Sequence, residues 1–146
     1  MGVSLYCKKT GTCCDMSYIG FYHLRNKIAY LCCNELGSIV DELNKAITRI
    51  FDSEDEKADF YRDIDHKIES LILAKKVSVK VVDFIMQSDC KGKIRYGACK
   101  EIYKHIKDYD DNICYGYAGH LDCAMFKDFK SLLKECYDNK SDLVWS

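Results

Sequence analysis

Residues 53–72 read SEDEKADFYRDIDHKIESLI. Ser53 and Glu56 have the S-x-x-E spacing of a capping box, in which side-chain oxygens satisfy the orphan N–H groups at a helix start. Beyond them Phe60, Ile64, Ile68, Leu71 and Ile72 recur at the period of one helix face. Asp55, Asp59, Arg62, Asp63 and Glu69 fill the opposite face. A helix of this kind must lay its apolar stripe on other helices, so the stretch points to a helical bundle.

Upstream, the same period returns twice. Ser38 is a candidate N-cap, with Asp41 in the box position and Val40, Leu43, Ile47, Ile50 and Phe51 as the stripe. Gly37 separates this helix from an earlier one capped by Ser17, whose stripe is Phe21, Leu24, Ile28, Leu31 and Cys32. Downstream, Val77-Ser78-Val79-Lys80-Val81 alternates as a strand would. Val82, Ile85 and Met86 continue at helical spacing, so a helix over about Ser78–Gln87 is expected. The loop SDCKGKI, residues 88–94, leads to a fifth helix with Cys99, Ile102, Tyr103 and Ile106 on one face. A last helix follows, with Asp122 as N-cap, Leu121 stapled on Phe126, a stripe of Phe126, Phe129, Leu133, Cys136 and Tyr137, and Asn139 as its stop.

The ends read differently. Val3, Leu5 and Cys7 alternate with Ser4 and Tyr6. Lys8-Lys9-Thr10-Gly11-Thr12 supplies a turn, and Cys13 to Met16 return as a hairpin. Such a ribbon is marginal alone and needs a neighbour. Leu143-Val144-Trp145 looks extended and is expected to pair with it. The expected architecture is therefore mainly α (α+β): one domain over 1–146, with five to six helices and a small antiparallel sheet from the N-terminal hairpin and the C-terminal strand.

Composition narrows the function classes. Lysine plus arginine is 22 against 23 acids, a net charge of −1, so whole-chain attraction to nucleic acid or anionic membrane is not expected. The charge is segregated, however. Residues 52–69 hold eight acids against three bases, and residues 75–107 nine bases against three acids. Oppositely charged faces follow if these helices sit apart. Proline is absent and cysteine numbers 10. The start, MGVSLYCKKTG, lacks the apolar core of an export signal, and no run approaches a membrane span. A cytoplasmic setting with reduced thiols is the expectation, most cysteines serving as small core residues. Gly2 is followed by Tyr6 where a myristoylation site needs Ser or Thr.

Chemistry-bearing patterns are partial. Asp89, Gly92 and Ile94 match the third, sixth and eighth positions of a calcium loop, but Gln87, Lys91 and Ala98 stand at the first, fifth and twelfth. The needed oxygens are therefore missing. The alternative is a turn in which Gly92 takes positive φ and Ile94 packs inward. Asp108, Asp110 and Asn112 repeat the first calcium-ligand spacings, but Ile113 and Gly119 replace the turn glycine and the final glutamate. No C-x-x-C occurs. Cys114, His120 and Cys123, with Cys99 or His105, are weak candidates for a zinc or thiol centre. Cys13 or Cys14 beside a helix start, with His23, could form a thiol and base, although no third partner orients the imidazole. Phosphate-loop, dinucleotide and hydrolase signatures are absent. No cofactor is implied.

Two binding readings remain. Tyr109, Tyr115 and Tyr117, with Gly116, Gly119 and His120 and with Lys104 and Lys107 nearby, make an aromatic loop suited to a protein partner. The alternative for these tyrosines is to cover the core with hydroxyls in water. Lys93, Arg95, Lys100, Lys104 and Lys107 form a basic segment suited to nucleic acid.

Three stretches carry a resemblance: YIGFYHLRNKIA at 18–29, FIMQSDCKGKIRYGACKEIYKHIKDYDD at 84–111, and FKDFKSLLKECYDNKSDLVW at 126–145. Together they cover about two-fifths of the chain. They resemble a group of small uncharacterised proteins of Firmicutes genomes and their phages or prophages. The resemblance implies a bacterial cytoplasmic setting, with mobile elements among the sources, and carries over no functional residue. The leading expectation is a non-enzymatic accessory module that binds a protein. The alternatives are an enzyme centred on Cys114, His120 and Cys123, or a nucleic-acid-binding protein.

Overall fold

The computed structural model describes residues 2–109 and 126–146. In chain order the elements are β1 (Gly2–Cys7), β2 (Cys13–Ser17), α1 (Tyr18–Cys32), α2 (Asn34–Ala46), α3 (Glu54–Leu73), α4 (Val79–Met86), β3 (Gly92–Ile94), α5 (Tyr96–Ile106), α6 (Phe126–Asp138) and β4 (Leu143–Trp145). The fold is mainly helical, with six helices and a four-stranded antiparallel sheet of order β2-β1-β4-β3 among the described residues.

The sheet follows from alternation. Val3, Leu5 and Cys7 on β1 and Cys14 and Met16 on β2 point into the core, while Ser4, Tyr6 and Asp15 point out. The helices cover the inner face, as one apolar face requires. Trp145 on β4 is fully buried and meets Phe21 of α1 (5.8 Å) and Phe84 of α4 (5.6 Å) edge-on, and Phe84 stacks on Phe129 of α6 (6.1 Å). Sheet and helices thus share one aromatic centre.

Most of the helical reading holds. Ser17 accepts from Gly20 N–H (2.9 Å) and Ser53 from Glu56 N–H (3.1 Å). The Glu56 carboxylate reaches back to Asp52 N–H (2.8 Å), one residue before the cap. Ile64, Ile68 and Leu71 are buried, with Phe60 and Ile72 packed on the core margin. Residues 79–86 are helical despite their alternation, with Ser78 accepting from Lys80 N–H. β4 pairs with the hairpin as expected. Asp122 and Leu121, expected at the start of α6, lie outside the described residues.

Four expectations need correction. Gly37 does not separate helices and Ser38 does not cap one. The break is the single extended residue Cys33 (φ −162°), and α2 already begins at Asn34. Gly37 is a glycine because the Tyr30 ring lies against it and a Cβ would overlap that ring. Tyr30 donates to Asp41, the supposed capping acid. Second, α2 ends at Ala46, so Ile47 and Ile50 leave its stripe and stand 76% and 93% exposed. Third, SDCKGKI is not only loop. Gly92–Ile94 is a strand paired with β4, which makes a fourth strand. Gly92 has no positive φ; it is small because the Trp145 indole fills the place of its Cβ. Ile94 does pack inward. Fourth, Asn139 follows the last residue of α6 as expected, but the left-handed conformation falls one residue later, on Lys140 (φ 50°). Ser141 N–H then closes on Cys136 C=O at 2.8 Å, the Schellman pattern.

Candidate anion-binding face

Helices α4 and α5 pack side by side, joined by the segment that carries β3. Their burial stripes, Val81, Phe84 and Ile85 on one and Ala98, Cys99, Ile102 and Ile106 on the other, turn inward. The period of a helix therefore turns Lys80, Lys100, Lys104 and Lys107 outward, and all four are exposed. Arg95, also exposed, is the N-cap residue of α5 and offers no side-chain cap bond. The first N–H groups of that helix therefore keep their outward dipole.

Three adjoining cavities run across this surface. The first, about 490 Å³, lies between Lys80 and Asp83 of α4 and Arg95, Tyr96 and Gly97 of α5. The second, about 460 Å³, shares Lys80 and Gly97 and continues past Lys100, Tyr103, Lys104 and Lys107 to Tyr137 of α6. The third, about 400 Å³, shares Glu101 and Lys104 and ends at Lys75 and Lys76 after α3. Together they form one furrow. Gly97 keeps it open: a Cβ there would sit 3.3 Å from Lys80 Nζ.

Cations outnumber acids along the furrow, where Asp83 and Glu101 are the carboxylates. Among the described residues no salt bridge involves Lys80, Arg95, Lys100, Lys104 or Lys107. Other charges do pair: Arg62 with Asp59 (2.8 Å), Lys67 with Glu42 and Asp63, and Lys76, at the far end of the furrow, with Glu35. Glu101 in the furrow is taken up by His105 (3.7 Å). Tyr96 is partly exposed, and the rings of Tyr103 and Tyr137 lie tilted 5.6 Å apart.

The structure divides the sequence candidates. Arg95, Lys100, Lys104 and Lys107 share the furrow, whereas Lys93 lies on β3 away from it. Lys80, Lys75 and Lys76 belong to the furrow and were missing from the segment read as basic. Their signal was the positive balance of residues 75–107, which starts before α5. Tyr109 is half-buried, with its ring against Phe126 (6.0 Å) and Lys27 Nζ above it (4.5 Å). For Tyr109 the core-covering alternative therefore holds. Tyr115, Tyr117, His120, Cys114, Cys123, Asp110 and Asn112 lie outside the described residues.

The pairing of Cys13 or Cys14 with His23 is not formed. Cys14 is buried and its pKa is pushed up to about 12, first by burial and then by the charges of Asp128 and Asp15. This is the reverse of an activated nucleophile. Neither Cys13 nor Cys14 bonds His23, whose ring rests against Tyr22 (5.2 Å). Of the two further groups weighed for the Cys114 centre, Cys99 is fully buried on α5 and His105 faces Glu101 (3.7 Å). Among the described residues no group of His, Cys, Asp or Glu is arranged to hold a metal ion. The eight described cysteines are unpaired, and five are buried as core residues. In the same residues no helix is long and apolar enough to cross a membrane.

No protein-family model, curated protein or solved structure matches the chain.

Proposed function

We propose that this protein acts by binding, and that its α4–α5 face takes a nucleic-acid strand. One observation carries the reading: Lys80, Arg95, Lys100, Lys104 and Lys107 line adjoining cavities, and among the described residues no carboxylate is paired to any of them. What sets these cations apart is that they converge on one surface, since many other exposed lysines among the described residues also make no ion pair. A row left unpaired keeps its full attraction for phosphate, and each contact releases condensed counterions. The furrow also offers flat rings, Tyr96 at one end and Tyr103 with Tyr137 in the middle, on which bases can stack. Lysine dominates over arginine here. That favours backbone contact by point charge over bidentate reading of base edges, and so weak sequence preference.

The test is fluorescence anisotropy with a labelled single-stranded oligonucleotide over a series of salt concentrations. Affinity should fall steeply with salt, and the log–log slope should shrink by about 0.7 for each lysine neutralised among Lys80, Lys100 and Lys104. Failure to bind at low salt, or binding indifferent to salt, would overturn the reading.

A further inference from the structure

The sheet has two edges, and the fold treats them differently. At β3 the edge is closed. The Gln87 side chain accepts from Lys93 N–H (3.0 Å) and donates to Lys93 C=O (2.8 Å), as a neighbouring strand would. Among the described residues nothing comparable exists at β2. The ladder to β1 runs through alternate residues, beginning with Cys7 N–H to Thr12 C=O (2.9 Å) and continuing in register at Cys14 and Met16. The N–H and C=O groups of Cys13 and Asp15 therefore face away from β1, and no described residue bonds them. An edge of this kind is a template for another strand.

What lies beside the edge sets the chemistry of the guest. A cavity of about 450 Å³ separates β2 from α6, between Cys13, Cys14 and Asp15 on one wall and Asp128, Ser131 and Glu135 on the other. Asp128 and Glu135 bring carboxylates into it and no cation lines it, while Asp15 at its rim turns its carboxylate to the Ser4 hydroxyl on the outer face. Glu135 Oε2 is buried and accepts no hydrogen bond, which leaves a desolvated oxygen without a donor. A second copy of the chain is a poor guest, because pairing β2 with β2 would set Asp15 and its acidic groove against the same charges.

We propose that the free edge of β2 binds an extended basic peptide segment as a fifth strand, with a lysine or arginine side chain inserted between β2 and α6 toward Glu135. Backbone bonds to Cys13 and Asp15 supply register. The carboxylates of the groove supply preference for a cation, which donates to the unsatisfied oxygen. This surface is opposite in charge to the α4–α5 furrow and built from other elements, so it does not rest on the nucleic-acid reading.

The experiment uses the whole isotope-labelled protein and synthetic blocked peptides. The probe is a short peptide alternating threonine and lysine. It should shift the amide resonances of Cys13 and Asp15 and slow their hydrogen exchange. Replacing its lysines by glutamate should abolish binding. N-methylating its alternate backbone nitrogens, with charge unchanged, should also abolish binding in the frame that faces β2. Glu135→Gln should weaken the lysine peptide by about tenfold, with the remaining amide spectrum unchanged. Equal binding of the glutamate peptide, undiminished binding of both N-methylated frames, or no binding of the lysine peptide would overturn the proposal. So would shifts at Cys13 and Asp15 that depend on protein concentration alone, which would assign the edge to a second copy.

Discussion

The indole of Trp145 occupies the space that a side chain at Gly92 would need. The two residues sit opposite each other in the β3–β4 ladder, and the indole Nε1 is held by Ser88 C=O at 2.9 Å. The ring is fully buried between Phe21 and Phe84, so it has nowhere to move. Gly92→Ala should therefore cost about 1–3 kcal/mol through overpacking, read as a lower urea midpoint with an unchanged slope. Gly97→Ala is the contrast. Its Cβ would meet only the flexible end of Lys80, so stability should stay within about 0.5 kcal/mol.

Arg25 of α1 is buried and donates to the carbonyls of Ile85 and Gln87 at the end of α4. Its guanidinium lies 5.0 Å from the Phe21 ring and 5.9 Å from Phe84. These carbonyls have no partner within their own helix, so the arginine ties α4 to α1 by satisfying them. Arg25→Met should cost about 2–4 kcal/mol by leaving them dry and unbonded. Arg25→Lys should recover only part of that, because an ammonium lacks the planar fork. Thermal unfolding of the three proteins side by side would show the order.

Burial holds the Cys14 and Cys32 thiols up to about 12. A thiol whose folded pKa is raised keeps its proton better in the native state. Its stabilising contribution is complete below the ordinary value near 9 and is lost as pH climbs from there to about 12. Stability should accordingly fall across that alkaline window, and Cys14→Val should flatten the fall. Among the described cysteines, alkylation mapped by mass at mildly alkaline pH should reach exposed Cys13 and Cys90 first and spare Cys14.

Lys100→Ala and Lys104→Ala together should leave the melting temperature almost unchanged, within the range of about 0.5 kcal/mol typical of exposed sites. Neither side chain holds an ion pair. The same double variant should lose oligonucleotide affinity. A large drop in melting temperature would mean that these lysines serve the fold instead of a partner.

Where the reading from residues succeeded, the information was local. The stripe Ile64, Ile68 and Leu71 and the caps Ser17 and Ser53 declare themselves within one or two turns, because a helix repeats every 3.6 residues and its first N–H groups need an oxygen close by. The same holds for Val3, Leu5 and Cys7 at period two. It failed at Gly37 and Gly92. In the sequence both read as chain punctuation, the usual sense of glycine, yet each is small because an aromatic ring packs on it, Tyr30 in one case and Trp145 in the other.

The candidate surfaces divide in the same way. An excess of cations over residues 75–107 is visible in the chain. That Lys80 joins Lys100 and Lys104 on one furrow depends on α4 lying against α5. The open edge of β2 and the closed edge of β3 depend on strand order, and Gln87 gave no hint that it would stand in for a strand.

Residue order alone determined which side of each helix and strand would leave water, because hydrophobic periodicity is written within a single element. Tertiary packing alone decided which elements became neighbours, which glycines made room for distant rings and which charges were left without partners. Those outcomes depend on groups such as residues 92 and 145, which meet only once the chain has closed on itself, and a local window contains no such pair.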